Sequence, residues 1–274
     1  MARYRTIFLS DIHLGTRGCQ AELLLDFLNG NDAETIFLVG DIVDGWKLRR
    51  GWRWPQSHND VVQALLEKSR KGTRILYIPG NHDEMVRSYY GVHFGGIEVV
   101  ERADHVTASG LRLLVTHGDQ FDAIVMHAKW LAHVGDRAYN AALWLNTWVN
   151  YTRRLWNGQY WSLSKWAKAQ VKHATSYISE YETVLTDEAR RGGYDGIVCG
   201  HIHSARIADM DGLLYVNTGD WVESCTAVIE REDGSLRLLD WAARHRRRQA
   251  VADAPRDSEG RRVKRRRTRQ KEEA

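Results

Sequence analysis

The chain has few cysteines, with only Cys19, Cys199 and Cys225 among its 274 residues. They are far apart and odd in number, so the sequence indicates neither a disulfide framework nor a paired-cysteine zinc site. Such sparse, unpaired cysteines are typical of proteins in a reducing compartment. We therefore expect a cytoplasmic protein.

Long apolar runs are also missing from the chain. No stretch approaches the roughly 20 residues that a membrane span needs. Residues 1–4 lead directly into an apolar strand pattern, so we expect no signal peptide. These absences argue against an integral membrane protein, but they leave peripheral contact with the inner face of a membrane open.

Acidic residues are scarce at the C-terminal end, where the net charge is concentrated. Residues 244–274 contain 13 Lys and Arg against 5 Asp and Glu, which leaves 26 against 30 for the rest of the chain. With almost no apolar content, this segment is predicted to be a disordered basic tail. It is either simply solvated or attached to an anionic surface, and both an anionic membrane and nucleic acid would attract it.

The apolar pattern predicts an α/β fold. Short β-branched runs alternate with helical patterns at residues 20–29 and 57–70, which indicates successive β-α-β units and a parallel sheet. Residues 97–116 and 194–240 are again rich in strand signals, whereas about 121–190 has helical patterns only. We expect a domain over residues 1–243, with two sheets, outer helices and a helical insertion at about 121–190.

Polar residues follow five of the predicted strands at the point where each strand ends. The five segments are Asp11-Ile12-His13, Gly40-Asp41, Gly80-Asn81-His82-Asp83, His117-Gly118-Asp119 and Gly200-His201-Ile202-His203. Any one of them could be an ordinary turn or a helix cap, but five together indicate a metal centre. The set contains carboxylates, imidazoles and a carboxamide without thiolate, which suits Mn, Fe, Zn or Co.

The same segments predict hydrolytic chemistry. An aspartate shared by two cations would hold them ~3.5–4 Å apart, a spacing at which water becomes a nucleophile near neutral pH. His82 is then free to protonate the leaving group if Asn81 is the ligand from its segment. Asp83, the next residue, is predicted to orient the imidazole of His82 and raise its pKa.

In these motifs the chain resembles the calcineurin-like metallophosphoesterases, whose pattern is D-x-H, G-D, G-N-H-[DE], H and G-H-x-H. The resemblance covers roughly residues 4–240 except the insertion, and it implies a four-layer αββα sandwich with two divalent metal ions, Mn being the first expectation. By this resemblance one metal would be held by Asp11, His13, Asp41 and His203, and the second by Asp41, Asn81, His117 and His201. His82 would be the general acid.

Within that superfamily the chain is most similar to the UDP-2,3-diacylglucosamine diphosphatases of lipid A synthesis and their relatives. The similarity lies in Asp44 and Trp46 after Gly40-Asp41, in the segment 117–119, and in the position of the helical insertion, which forms a lid in that family. The chain departs from those diphosphatases at His82, where they carry Arg. This departure favours a paralogue that acts on another lipid-linked or nucleotide-linked substrate.

Cationic side chains near the predicted site are candidate contacts for a phosphorylated substrate. We predict this role for Arg49, Arg50 and Arg53 in one loop and for Lys165, Lys168 and Lys172 on one helix face. Six of the eleven tryptophans lie between residues 130 and 166. They form either a helix-packing core or an interface with lipid.

Three functional interpretations follow. The first is a two-metal hydrolase of phosphoester or pyrophosphate bonds in a lipid-linked substrate such as UDP-2,3-diacylglucosamine. The second keeps the chemistry but changes the substrate class, as in a phosphodiesterase, nuclease or protein phosphatase. The third is a metal-binding scaffold without catalysis, which the presence of all seven ligand positions and His82 disfavours.

Overall fold

The structure is a computed structural model that describes residues 2–122 and 163–252, and for residues 163–176, 251 and 252 it describes the backbone. In chain order the strands of the described residues are β1 (Ala2–Leu9), β2 (Asn31–Val39), β3 (Arg74–Ile78), β4 (His93–Phe94), β5 (Ile97–Val99), β6 (Ala103–Val106), β7 (Arg112–Val115), β8 (Gly196–Cys199), β9 (Arg206–Met210), β10 (Leu213–Asn217), β11 (Thr226–Glu230) and β12 (Leu236–Asp240). The helices are α1 (Ala21–Gly30), α2 (Gly45–Arg50), α3 (Gln56–Arg70), α4 (Leu163–Arg191) and α5 (Trp241–Ala252), with short 3-10 turns at Glu84–Tyr89 and Asp119–Phe121.

The strands form two sheets. The first has the order β12-β11-β1-β2-β3-β5-β4, and the second β6-β7-β8-β10-β9. The inner strands β1, β2, β3 and β5 run parallel, as do β7, β8 and β10, whereas antiparallel strands close the edges. The parallel strands are apolar over most of their length because both of their faces are covered.

Three apolar clusters lie between four layers, which are helices, the first sheet, the second sheet and a further helix. This arrangement confirms the predicted αββα sandwich. Helices α1, α3 and α5 cover the outer face of the first sheet, with Phe27 and Trp241 in that core. The two sheets face each other through a second core, in which Phe8 stacks on Phe37 at 5.0 Å. Helix α4 covers the second sheet through a third core around Tyr181.

Part of the predicted insertion belongs to the sandwich itself. Tyr181, Leu185 and Ala189 on α4 are fully buried against the second sheet. A helix with this apolar stripe is needed to cover that sheet, so the end of the 121–190 segment forms the fourth layer. Residues 123–162, which include most of the predicted lid, lie outside the described residues.

We predicted that a disordered tail begins at residue 244. The structure corrects this boundary, because helix α5 continues to Ala252. Trp241 anchors this helix, since its ring is buried and its Nε1 donates to Asp26 Oδ2 at 2.9 Å. Arg248 lies over the Trp241 ring, with its guanidinium carbon 4.8 Å from the ring centroid. Residues 253–274 of the predicted tail lie outside the described residues. Among residues 2–122 and 163–252, no helix combines the length and apolarity needed to cross a bilayer.

Candidate metal centre

The polar segments at the strand ends meet at one edge of the sandwich. The pairing of β1 with β2 continues past their last residues, because the Asp11 amide donates to the Gly40 carbonyl at 3.0 Å and the His13 amide to the Asp41 carbonyl at 2.9 Å. The parallel register therefore brings the two loops side by side. This edge is where open α/β sheets place their ligands.

Two groups of side chains in this edge could each hold a metal ion. They are Asp11, His13 and His203 in the first group and Asp41, His117 and His201 in the second, while His13, Asp41 and His82 form a third combination between them. Within each group the ligand atoms lie within 4.8 Å of one another. His203 Nε2 is 3.1 Å from Asp11 Oδ1 and 3.3 Å from His13 Nε2. His117 Nε2 is 3.4 Å from Asp41 Oδ2.

Several of these ligand atoms are buried and make no hydrogen bond. They are Asp11 Oδ1, Asn81 Oδ1 and His117 Nε2. Leaving buried polar atoms unpaired costs about 1–3 kcal/mol each, so such atoms are expected to have a partner. Oxygen and imidazole donors that meet at one edge of the sandwich suit a divalent cation, and these residues therefore fit the predicted metal ions.

The imidazole of His117 is set up to present Nε2 to a cation. Its Nδ1 lies 2.9 Å from the Val39 carbonyl, which accepts a hydrogen bond and so keeps the proton on Nδ1. Burial disfavours the charged ring, but the contact with Asp41 outweighs burial and raises the pKa of His117 to about 10. Burial also raises the pKa of Asp41, yet the contact with the His117 imidazole holds that pKa well below its usual range. A cation would take the place of the proton that the pair favours.

The backbone of the ligand loops is strained. Among the non-glycine residues with φ above zero in the described chain are five of the predicted ligands, Asp11, His13, Asp41, His201 and His203, with φ between 51° and 70°. The left-handed region costs a non-glycine residue about 1–3 kcal/mol and is held only where surrounding structure enforces it. Concentration of this conformation at one strand edge is typical of a functional site.

Two glycines permit the ligands to approach each other. Gly40 has φ +78°, and a Cβ there would overlap the His117 ring. A Cβ on Gly80 would overlap both Asp41 and His117. Both positions therefore require glycine for the close packing of the ligands, and Gly40 requires it also for its left-handed backbone.

His82 lies beside Asp41, the ligand predicted to be shared by the two metal ions. Its backbone amide donates to Asp41 Oδ1 at 2.8 Å, and its Nδ1 lies 3.1 Å from Asp44 Oδ2. The same Asp44 oxygen lies 3.4 Å from Nδ1 of His13. The ring of Trp46 covers the His82 ring, with centroids 4.3 Å apart. The imidazole of His82 thus lies among the Asp44 carboxylate, the His13 ring and the Trp46 ring.

Asp83 has a different place from the one predicted, and the group facing the His82 imidazole is Asp44. Asp83 is fully buried, and its carboxylate accepts hydrogen bonds from the amides of Gly80 at 2.6 Å and Ile42 at 2.7 Å. The hydroxyl of Tyr77 donates to the same carboxylate at 2.5 Å. Asp83 therefore clamps the Asp41 loop to the Gly80 turn instead of orienting His82.

The cationic residues predicted to contact the substrate lie in two parts of the structure. Arg49 and Arg50 are exposed on α2, and Arg53 lines a cleft beside that helix. Lys165, Lys168 and Lys172 lie on α4, where only the backbone is described.

Sequence reasoning missed Asp122. Its Oδ2 lies 2.8 Å from His201 Nε2, and its Oδ1 accepts from the Tyr177 hydroxyl at 2.6 Å. Asp122 lies just after the 3-10 turn that follows His117, and its position five residues after a predicted ligand was the only available signal. The contact links the second metal group to α4.

The geometry agrees with comparison to known proteins. Residues 4–205 match the Calcineurin-like phosphoesterase family. The chain belongs to this family, and it is a phosphoester hydrolase.

Among its relatives is the UDP-2,3-diacylglucosamine hydrolase of Xanthomonas campestris, 28% identical over 248 residues that cover 84% of this chain and 96% of that protein. The hydrolase of the same name from Neisseria meningitidis serogroup B is 25% identical and covers 83% of this chain and 93% of its own length. The DNA polymerase II small subunit of Methanothermobacter thermautotrophicus is 26% identical over 47% of this chain and 33% of that protein.

Proposed function

We propose that this protein hydrolyses a phosphoester or pyrophosphate bond in a lipid-linked substrate, with UDP-2,3-diacylglucosamine as the first candidate. The observation that carries the chemistry is the pair of neighbouring ligand groups, which the combination of His13, Asp41 and His82 joins. The observation that favours the substrate is the similarity to hydrolases of that name over nearly their whole length.

In this proposal the residues that hold two divalent ions, Mn first among them, are Asp11, His13, Asp41, Asn81, His117, His201 and His203. Such a pair supplies a nucleophilic hydroxide near neutral pH and neutralises charge on the phosphoryl oxygens. His82 Nε2 gives its proton to the leaving oxygen as the bond between phosphorus and that oxygen breaks. In this proposal the buried carboxylate of Asp44, 3.1 Å from Nδ1, orients the imidazole.

His82 also bears on the choice of substrate. An imidazole can protonate a poor leaving group, whereas the Arg that the diphosphatases carry can only stabilise charge. A leaving group that needs a proton, such as an alkoxide, benefits from His82 more than a nucleoside monophosphate does. A related lipid-linked phosphoester is therefore the alternative within the same proposal.

Product release from a panel of substrates by the purified, Mn-loaded protein tests the proposal. The panel contains UDP-2,3-diacylglucosamine, phosphatidylglycerol phosphate, bis-p-nitrophenyl phosphate, single-stranded DNA and a phosphopeptide. Preferred turnover of an acylated substrate is the expected result. Turnover of the generic diester with no acylated substrate accepted would discard the lipid assignment.

A nuclease is the second candidate, because one relative is a subunit of a DNA polymerase. Release of nucleotides from the single-stranded DNA in the panel, at a rate above that of every lipid, would favour it. The hydrolysis products separate the two candidates directly.

We also propose that the protein works in the cytoplasm and associates with an anionic membrane. The arginines Arg244, Arg246, Arg247 and Arg248 are exposed on α5, and basic residues near such a surface contribute about 1 kcal/mol each. Flotation with vesicles that contain phosphatidylglycerol, and loss of flotation at high salt, is the expected result. Equal binding to neutral vesicles would contradict it.

A further inference from the structure

A second cleft opens beside the metal centre. It has a volume of about 640 Å³ and lies between the loop Gly15–Gly18 and the segment 47–53. This volume is within the range of small-molecule sites. Both walls begin at the metal centre, because Thr16 Oγ1 donates to the His13 carbonyl at 2.9 Å and the Lys47 amide donates to Asp44 Oδ1 at 2.8 Å.

All the charged residues that line this cleft are positively charged. Arg17, Lys47 and Arg53 line it, and none of its lining residues is acidic. Within the described part of the chain, none of these three cations forms an ion pair. Three uncompensated cations around one concave surface repel each other unless an anion lies between them, and guanidinium groups suit phosphate because they can bind it in bidentate fashion.

The cleft also has an aromatic wall. Trp52 is 78% exposed, which is unusual for so large an apolar side chain. It is supported from behind, since its ring stacks on Trp54 at 6.2 Å and Trp54 packs edge-on against His58 at 5.6 Å. His58 is buried, and its Nδ1 accepts a hydrogen bond from the amide of Gly15 at 2.9 Å. The ring is thus braced against the opposite wall of the cleft.

We propose that this cleft binds the nucleotide portion of the substrate, with a phosphate held by Arg17, Lys47 and Arg53 and the base stacked on Trp52. Cations without a carboxylate select the phosphate, and an exposed, braced indole selects a flat π system. The inference rests on the proposed function, since it places the nucleotide end of a nucleotide-linked substrate next to the bond that is cleaved. The acylated end would then extend to the other side of the metal centre.

Calorimetric titration of the full-length, Mn-loaded protein with UMP, uridine and inorganic phosphate tests this site. UMP should bind more tightly than either part alone, because it uses both the cations and the ring. Trp52→Ala should weaken UMP binding roughly 5- to 150-fold, the loss expected for one stacked base. It should leave the affinity for inorganic phosphate unchanged.

Arg17→Gln should weaken the binding of both UMP and phosphate about tenfold. Arg70→Gln is the matched control, because Arg70 is an exposed cation on α3 that does not line the cleft. UMP affinity that falls as much in Arg70→Gln as in Arg17→Gln would show that only general positive charge attracts UMP, and would overturn the site. UMP affinity unchanged in both Trp52→Ala and Arg17→Gln would overturn it as well.

Failure of this inference can be told apart from failure of the proposed function. The titration reports binding without turnover, whereas the substrate panel reports hydrolysis. If the protein hydrolyses UDP-2,3-diacylglucosamine but its UMP affinity is unchanged by substitution of Trp52 or Arg17, the nucleotide site in the cleft is rejected and the proposed function is kept. UMP binding that depends on both residues, in a protein that cleaves no nucleotide-linked substrate, would reject the function and keep the cleft.

Discussion

Asp44 Oδ2 lies 3.1 Å from Nδ1 of His82, and the two residues come from loops 38 positions apart. Asp44 is buried, and its other oxygen caps α2 by accepting from the Lys47 amide. The hydrogen bond from the Lys47 amide therefore fixes the Asp44 carboxylate independently of its contact with the imidazole. The same carboxylate oxygen lies 3.4 Å from Nδ1 of His13, so Asp44 faces both imidazoles.

This relationship predicts that Asp44 and His82 act as one unit. His82→Ala should lower kcat about 10²- to 10⁴-fold with metal content unchanged, because a general acid is lost. Asp44→Asn should lower kcat less, and the double variant should lose no more than His82→Ala alone. Steady-state kinetics at saturating Mn, with metal analysis of each variant, measures both effects. Additive losses would show that the two residues act independently.

Much of the site could be predicted because strand-end residues can be recognised from short apolar runs. Asp11, Asp41 and His117 each follow such a run, and parallel strands carry their C-terminal residues to one edge. The orientation of Asp83 could not be predicted, because it depends on amide donors from residues 41–43 and 80 that only the tertiary structure brings together.

The four layers were predictable from the resemblance, but their assignment along the chain was not. An amphipathic helix shows that it has a buried face without showing what covers it, so α4 could be taken as part of a lid. Likewise, the basic composition after residue 244 suggests disorder, whereas the buried Trp241 three residues earlier holds α5 in place. Amino-acid composition does not show the contacts by which a single residue such as Trp241 holds a helix in place.

Asp41 is predicted to be indispensable for the metal ions. It is 2% exposed, and it belongs to both the second ligand group and the combination that joins the two groups. Asp41→Ala should abolish turnover and release bound metal. Inductively coupled plasma analysis of the purified variant measures metal content. An Asp41→Ala protein with normal metal content and normal rate would contradict the assignment.

Asp83 is predicted to matter for stability through its hydrogen bonds. In Asp83→Asn an amide group would face backbone donors, and the free energy of unfolding should fall by about 2–4 kcal/mol. Urea denaturation monitored by circular dichroism measures the change. The control is Asp209→Asn, because exposed Asp209 accepts from the Gly212 amide in a turn that Asn can also cap. Equal stability of the two variants would argue against the clamp.

Removal of the metal ions is predicted to destabilise the folded protein. Asp11, Asp41 and His117 are buried members of the two ligand groups, and a cation that binds only the folded state stabilises it. A metal present at 1,000 times its Kd contributes about 4 kcal/mol. Thermal unfolding with and without a chelator should therefore show a lower Tm for the chelated protein and recovery on adding Mn. A Tm that changes neither with the chelator nor on adding Mn would argue against metal binding at this edge.

Glu230 is a fully buried carboxylate between the two sheets, and we predict that it is a source of pH dependence outside the metal centre. It accepts from Thr6 Oγ1 and the Ala108 amide, both at 2.7 Å, and lies 2.7 Å from His105 Nε2. Burial alone would raise the pKa of Glu230, but the hydrogen bonds from His105, Thr6 and Ala108 lower it below the value of a free side chain.

Since the pKa of Glu230 is lower in the folded state than the unfolded value of about 4.3, its ionised form stabilises the protein above that pH, and this contribution is lost as the pH falls through the folded pKa. Glu230→Gln should therefore lower the free energy of unfolding by about 2–4 kcal/mol at pH 7. The difference from the unsubstituted protein should shrink below about pH 4, where the carboxyl becomes protonated and resembles the amide. Urea denaturation between pH 7 and pH 3 measures this, with exposed Glu232→Gln as the control. A difference that stays constant over that range would show that Glu230 acts through packing and not through its charge.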